Sequence, residues 1–386
     1  MDKLMNARDF QAPEAGRVVQ TPAGYAAFVP APLPPRLNYD STTVLALSQA
    51  DAALGELSGL GSQLPNADLL IAPYVRREAV LSSRIEGTRT NLAELLRDEA
   101  TTGQEPAGDV REVRNYVRAL QFGLGRLKAL PLSLRLVCEV HQRLMAGVRG
   151  DRATPGEFRR SQNWIGPPDS TLQTAPYVPP PPTEMNEALH NWELFLHDRG
   201  SMPDLVQCAL IHEQFEAIHP FLDGNGRVGR LLVTLFLVER GRLSQPLLYL
   251  SDYIEAHRDG YYDGLQRVRT HGDWNAWLRY FLTGVAETAR KAVRQAAQLM
   301  HLRERLRRKL VTRPRALTLV DELFKNPYVD VARARTLLHV TTPTARKVIQ
   351  ALEDEGVLKE VTGRSWGRLY LARPILKAIE QPAGEA

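Results

Sequence analysis

The sequence predicts a mainly α fold, with one β-hairpin set into a helical core and a small helix-and-hairpin unit at the C-terminus. Three observations carry this. From Ser41 onward, apolar residues recur at three- and four-residue spacing along most of the chain. That pattern breaks between Gly156 and Pro182, where "FRRSQNWIGPPDSTLQTAPYVPPPP" sets β-prone residues around a turn-rich centre and ends on prolines. Charge also divides the chain. From Arg290 to the end there are 20 Lys/Arg and 10 Asp/Glu, a net of +10; the first 289 residues hold 29 and 34, a net of −5. The overall +5 is therefore a basic tail on an acidic body.

Taken in order, the first forty residues are rich in Pro and Ala ("VPAPLPPRLNYD") and read as an extended arm. Helical periodicity then runs through "TTVLALSQADAALGELSGL", "LLIAPYVRREAVLSSRIEG", "NLAELLRDEA", "VREVRNYVRALQFGLGRLKAL" and "LSLRLVCEVHQRLM". Helices resume after the hairpin with "MNEALHNWELFLHD", "DLVQCALIHEQFEAI", "RLLVTLFLVERG", "HRDGYYDGLQRV" and "DWNAWLRYFLTGVAETARKAVRQAAQLM". A basic helix, "LRERLRRKL", leads into the C-terminal unit. A length of 386 residues allows two or three domains. The N-terminus has no signal-peptide apolar core, the apolar runs are too short to span a bilayer, and there are only two cysteines, Cys138 and Cys208. These features exclude a disulfide framework and a membrane partner and suggest a cytoplasmic protein.

The chemistry is concentrated in "HPFLDGNGRVGR", His219 to Arg230. A glycine-rich turn opening onto a helix N-terminus is a ready anion site. Arg227 and Arg230 share a helix face and are suited to bidentate phosphate binding. Asp223 is a hard oxygen ligand of the kind Mg²⁺ takes together with phosphates. His219 can act as a general base near neutral pH. This set suggests phosphate transfer. Zinc is the alternative, since "HEQFEAIH" begins like a metalloprotease helix, but its second histidine falls at i+7 instead of i+4. Walker and kinase glycine patterns are absent.

The twelve residues resemble the signature of the Fic (filamentation-induced-by-cAMP) family, His-x-Phe-x-Asp/Glu-Gly-Asn-Gly-Arg-x-x-Arg, with every fixed position met. The resemblance implies a Fic-type helical core and transfer of AMP from ATP to a hydroxyl of a target protein. Carried over residue by residue, His219 would take the hydroxyl proton and Asp223 would hold Mg²⁺ on the α- and β-phosphates. Gly224, Asn225 and Gly226 would cradle the phosphates, and Arg227 and Arg230 would neutralise the leaving pyrophosphate. Phe221 would be a core anchor. The hairpin resembles the family's flap, with Ile165, Tyr177 and Val178 as the clamp on a target segment. "YLSDYIEAHRDGYYDGLQRV" resembles the helix on the nucleotide side, with Tyr261 and Tyr262 as candidates for the adenine or ribose wall. Arg269 stands where some relatives carry an asparagine.

"SSRIEG", Ser82 to Gly87, places Ser82 and Glu86 on one helix face, with Gly87 as the C-cap. The stretch resembles the Fic inhibitory motif, Ser/Thr-x-x-x-Glu-Gly/Asn. The resemblance implies that Glu86 pairs with Arg230 and restrains the enzyme. It covers roughly Leu37 to Leu282. In the tail, "TTPTARKVIQALEDEGVL" followed by two strands around "GRSWG" resembles a winged helix-turn-helix. That would place Thr342, Thr344, Arg346 and Lys347 on a recognition helix and Arg364 and Arg368 in the wing. A winged helix that contacts protein is the alternative.

The expected organisation is therefore an N-terminal arm and inhibitory helical region over 1–110 and a catalytic core over 111–289. A basic linker helix over 290–312 and the winged helix over 313–386 follow. The expected cofactors are ATP and Mg²⁺. Expected partners are a target protein with an acceptor hydroxyl, the chain itself among the candidates, with DNA through the winged helix and a homodimer both left open. Two other readings stand beside AMP transfer: removal of AMP from a modified protein by the same site, and a nucleotide-sensing DNA-binding regulator.

Overall fold

The computed structural model describes residues 7–63, 68–101, 108–148 and 154–380. A 3₁₀ turn at Ala7–Asp9 precedes two antiparallel strands, β1 (Gly16–Gln20) and β2 (Ala26–Pro30), with Gly16 opposite Pro30. The arm expected to be merely extended thus contains a hairpin. Its strands are short and sit among prolines, so their pattern is faint in the sequence. Burial holds them: Phe28 is buried and packs on Phe10 and Tyr177.

The helical body follows as α1 (Ser41–Gln63), α2 (Asp68–Ile85), α3 (Leu92–Ala100), α4 (Gly108–Arg126), α5 (Leu134–Leu144), α6 (Pro182–Leu196), α7 (Asp204–Ile218) and α8 (Asn225–Glu239). Then come α9 (Ser251–Ala256), α10 (Arg258–His271) and α11 (Trp274–Lys309). Local chemistry sets several starts. Asn91 and Glu94 form a reciprocal capping box on α3, Ser133 caps α5, and Asp273 accepts from the Ala276 N–H at the head of α11. At the centre lies α7, buried from Leu205 to Ile218. Neighbours surround it, so even its polar side chains, Gln207, His212, Glu213, Gln214 and Glu216, are buried. Two indoles pin it: Trp192 donates to Ile211 O at 3.0 Å and Trp277 to Ala209 O at 2.9 Å.

The expected hairpin between Gly156 and Pro182 is reduced to a single antiparallel bridge, Ile165 to Tyr177. Pro167, Pro168, Pro176 and Pro179 have no N–H to donate, so a longer ladder cannot form there. The β-structure continues on the other side, where Phe28 N donates to Val178 O at 2.9 Å.

Helix α11 runs unbroken across residue 289, so the stretch expected as a separate linker over 290–312 belongs largely to a core helix. The C-terminal unit comprises α12 (Pro314–Lys325), β3 (Tyr328–Asp330), α13 (Val331–Leu338), α14 (Thr342–Asp354), β4 (Lys359–Glu360), β5 (Leu369–Leu371) and α15 (Arg373–Glu380). Its strands form an antiparallel sheet in the order β3-β5-β4. This unit packs on the body. Asn326 donates to Leu96 O at 2.9 Å, Arg333 to Glu99 O at 2.8 Å, and Gln295 of α11 to Ile379 O at 2.6 Å. One apolar cluster runs from Leu54 and Leu95 through Phe324 to Ile379. Among the described residues no helix is long and apolar enough to cross a membrane.

Candidate functional site

The site is built around the turn between α7 and α8. His219 ends α7 in the left-handed conformation, φ 48° and ψ 61°. Non-glycine residues seldom adopt it, and here the surroundings enforce it. The His219 carbonyl accepts from Arg159 Nε at 3.0 Å and from Asn163 Nδ2 at 3.1 Å. Burial, then the charges of Arg159 and Arg269, push the imidazole down to about 3, against an opposing pull from Glu86. The ring is therefore neutral at physiological pH and able to accept a proton.

Asn225 closes the loop on itself. Its Oδ1 accepts from Phe221 N and its Nδ2 donates to Phe221 O, both at 2.8 Å. Both side-chain amide atoms thus bond within the loop and shape the turn. Phe221 is buried and stacks on His141 with ring centroids 3.7 Å apart. Gly156 N–H donates to His141 Nδ1 at 2.9 Å, so Nε2 carries the proton and donates to Asp223 O at 3.0 Å. Burial holds His141 at about 4 and keeps that tautomer neutral.

Gly224, at φ 79°, is the N-cap of α8, and no side chain caps the helix. Its first-turn N–H groups and dipole therefore form an anion site. A Cβ at Gly224 would lie 2.8 Å from Met145 Sδ, so glycine is required for both angle and space. The Asp223 carboxylate remains 44% exposed, with Oδ1 accepting from Gly224 N at 2.6 Å and lying 3.6 Å from Arg227 Nη2. Among the described residues no group of three or more His, Cys, Asp or Glu could hold a metal ion unaided. A half-exposed carboxylate beside an anion site does fit Mg²⁺ that brings its own phosphate ligands.

The two arginines sit in different settings. Arg227 is buried and reaches Glu112 of α4 at 3.2 Å, and Thr88 donates to the same carboxylate oxygen. Arg230, with 2% of its side chain exposed, is held by the end of α2. Its Nε donates to Ser82 Oγ at 2.8 Å, and its Nη2 donates to Ser82 O at 2.9 Å and to Glu86 Oε1 at 2.6 Å. The sequence-predicted trio Ser82, Glu86 and Arg230 is thus assembled, with Gly87 just past the helix end at φ 93°. Burial works against the Glu86 charge, yet Arg230 outweighs it, aided by Arg227 and His219, and holds the carboxyl below its ordinary value. Glu86 lies against the first turn of α8, where a Cβ on Gly226 would overlap its Oε1. Its carboxylate therefore sits beside the N-terminal turn of α8, paired with Arg230.

Other expected residues fare differently. Tyr177 and Val178 are buried, and Tyr177 donates to Ala217 O at 2.7 Å, so they pack the core instead of forming an open clamp. Ile165 is half-buried. Tyr261 is buried too, with its hydroxyl donating to His212 Nε2 at 3.0 Å; the other ring nitrogen, Nδ1, donates to Gly229 O. Only Tyr262 remains exposed as a candidate wall. Arg269 pairs with Glu213 at 3.4 Å and lies over the Tyr177 ring at 4.0 Å. Thr342 and Thr344 are half-buried, while Arg346, Lys347, Arg364 and Arg368 are exposed.

Sequence reasoning passed over Arg159, Asn163, His141, Glu112 and Glu216. No spacing signal marks them, because each reaches the site from another segment. Glu216 is the partial exception, since it lies three residues before His219. Burial pushes it up to about 7 against the pull of Arg230, and its Oε1 has no hydrogen-bond partner.

Residues 44–125 match the model of the Fic/DOC family N-terminal region, and residues 131–237 match that of the Fic/DOC family itself. The protein adenylyltransferase Fic of Aedes aegypti is 27% identical over 213 residues, covering 55% of this chain and 39% of that one. A probable protein adenylyltransferase of Aquifex aeolicus is 28% identical over 190 residues, 48% of this chain and 54% of its own. This chain thus spans less than two thirds of the length of these curated relatives. A Fic family protein from Desulfovibrio desulfuricans superposes with a TM-score of 0.57 at 18% identity, over 88% of this chain and 98% of that chain, which shows a shared fold.

Proposed function

Because the chain belongs to the Fic/DOC family over these two matched regions, we propose that it transfers AMP from ATP to a hydroxyl of a target protein. The observation that carries the reading is the convergence around Glu86. Its carboxylate feels Arg230, Arg227 and His219 together while lying on the uncapped end of α8. A polyphosphate seated there would meet the same three groups. The acceptor oxygen would attack the α-phosphorus, its proton passing to the neutral His219 imidazole, and pyrophosphate would leave with the bridging oxygen. Asp223 would hold Mg²⁺, which would neutralise phosphate charge. Arg227 and Arg230 would bind and orient the β/γ end.

In this reading Glu86 is a brake. It takes the Arg230 guanidinium and the helix end that the γ-phosphate needs. A second reading is favoured by the coupling of Glu86 to both Arg230 and His219: with AMP already on a target, Glu86 would orient a water and the site would remove the group. For the C-terminal unit we read a winged helix, supported by three helices followed by the β4–β5 pair. Arg346, Lys347, Arg364 and Arg368 are each exposed and would be free to meet DNA phosphates.

The test is incubation with α-labelled ATP, with acceptor protein or the chain alone, in Glu86→Gly with and without His219→Ala. Label on protein that needs His219 supports transfer. Label at an equal rate in both removes His219 as the base. Release of AMP from a labelled target by the parent chain, lost in Glu86→Gly, selects the second reading.

A further inference from the structure

Arg159 is buried, yet it takes part in no ion pair among the described residues, and burial lowers its pKa to about 10. A buried charge without a counter-ion is costly unless its donors are fully used. Here every arm of the guanidinium is spent on a carbonyl. Nε donates to His219 O at 3.0 Å, Nη1 to Ser161 O at 3.2 Å, and Nη2 to Pro180 O at 2.5 Å and Ile218 O at 3.4 Å. Two of these carbonyls end α7; the other two flank the loop that carries Ile165 and Tyr177. The Arg159 backbone N–H adds a bond to Pro220 O at 2.9 Å.

We propose that Arg159 is a positioning residue, whose guanidinium fixes the left-handed turn that aims His219 and locks that turn to the ends of the loop between Ser161 and Pro180. The inference rests on the reading of His219 as the base. A left-handed histidine at a helix end is strained and persists only where its surroundings over-determine it. Arg159 and Asn163 supply that determination from one side, and they meet on the same His219 carbonyl. The charge of Arg159 acts as well. After burial, it and Arg269 are what keep the imidazole unprotonated; Glu86 and the Glu216 backbone oppose them.

The test uses the full chain in the Glu86→Gly background, with Arg159→Lys and Arg159→Gln. None of Arg159's partners lies in the anion-binding turn, so KM for MgATP should stay within about twofold. A catalytic group displaced by about 1 Å can lose about 100-fold in rate, so kcat should fall by about that factor in both variants. The His219 imidazole, followed by NMR, should stay unprotonated in Arg159→Lys and titrate upward towards its ordinary range in Arg159→Gln. A purely structural bracket would move the melting temperature and leave that titration alone. Parent-like kcat in either folded variant overturns the proposal, as does identical His219 titration in Arg159→Gln and parent. If neither variant folds, Asn163→Ala carries the test, with a smaller kcat loss at unchanged KM expected and parent-like kcat overturning it. Retained transfer in His219→Ala would instead remove the base reading, while the titration still judges Arg159.

Discussion

Replacing Glu86 with glycine should raise AMP transfer by about 30-fold. The bond lost is the 2.6 Å contact from Arg230 Nη2 to Glu86 Oε1. Hydrogen bonds to charged groups contribute about 1.5–3 kcal/mol, and the bare Coulomb attraction of such a pair is of order 4 kcal/mol at an effective dielectric near 20. Glu86 keeps 37% of its side chain exposed, so water screens the pair and the lower part of the range applies. About 2 kcal/mol, at about 1.4 kcal/mol per tenfold, is about 30-fold in access of the γ-phosphate to Arg230. The arginine itself stays in place, because its bonds to Ser82 Oγ and Ser82 O do not involve Glu86. It does lose its nearest counter-ion, so the variant should melt below the parent without nucleotide. Added MgATP should raise its melting temperature more than the parent's, because bound phosphate replaces the lost carboxylate. The assay is α-labelled AMP on protein against time, with Glu86→Gln as an uncharged control of intermediate rate. An unchanged rate, together with equal stabilisation of both proteins by MgATP, would refute the brake.

Asp223→Ala should abolish the dependence of transfer on Mg²⁺ and lower the rate at least tenfold, read as rate against metal concentration; full activity of the parent in EDTA would remove the metal from the site. Stability should be nearly flat between about pH 4.5 and 6.5 and fall steeply below, followed as melting temperature against pH. Folded His141 and His212 sit at about 4 and His219 at about 3, below their ordinary 6.5, so the unfolded chain takes up more protons and stability is lost as pH falls. Glu78, Glu213 and Glu216, raised from 4.5 to about 7, favour the fold at low pH and withdraw that support as pH climbs from 4.5 to 7, offsetting the histidines in between. Cutting the chain at Arg313 should lower the melting temperature and solubility, because Leu319, Val320, Leu323 and Phe324 cover apolar surface of the body. The full chain should bind duplex DNA with steep salt dependence; no binding at low salt would make the C-terminal unit a protein-contact module.

The helical class, the turn at Gly224 and the shared face of Ser82 and Glu86 are legible in the chain itself. They rest on local spacing: the 3.6-residue period, a glycine ahead of a helix where φ reaches 79°, and an i,i+4 face. The partner of Glu86, Arg230, lies 144 residues away and is implied only by the resemblance to the inhibitory motif. The faint hairpin of β1 and β2 escaped that reading because tertiary burial of Phe28, more than alternation, holds it. The boundary drawn at 289 from the charge shift has no counterpart in the helix, because a charge shift need not interrupt one: α11 carries the basic residues outward while its other face stays in the core. Tyr177 and Val178, expected in the clamp, and Tyr261, a candidate for the nucleotide wall, are buried, and packing alone decides this. Above all, the groups that set the state of His219 come from afar. Arg159 lies 60 residues away, and Arg269, fifty residues beyond the histidine on α10, reaches it only through folding. Motif spacing identifies which side chain can take a proton. Whether that side chain is neutral, strained and aimed depends on desolvation and on charges brought close in space, and these exist only once the chain has packed.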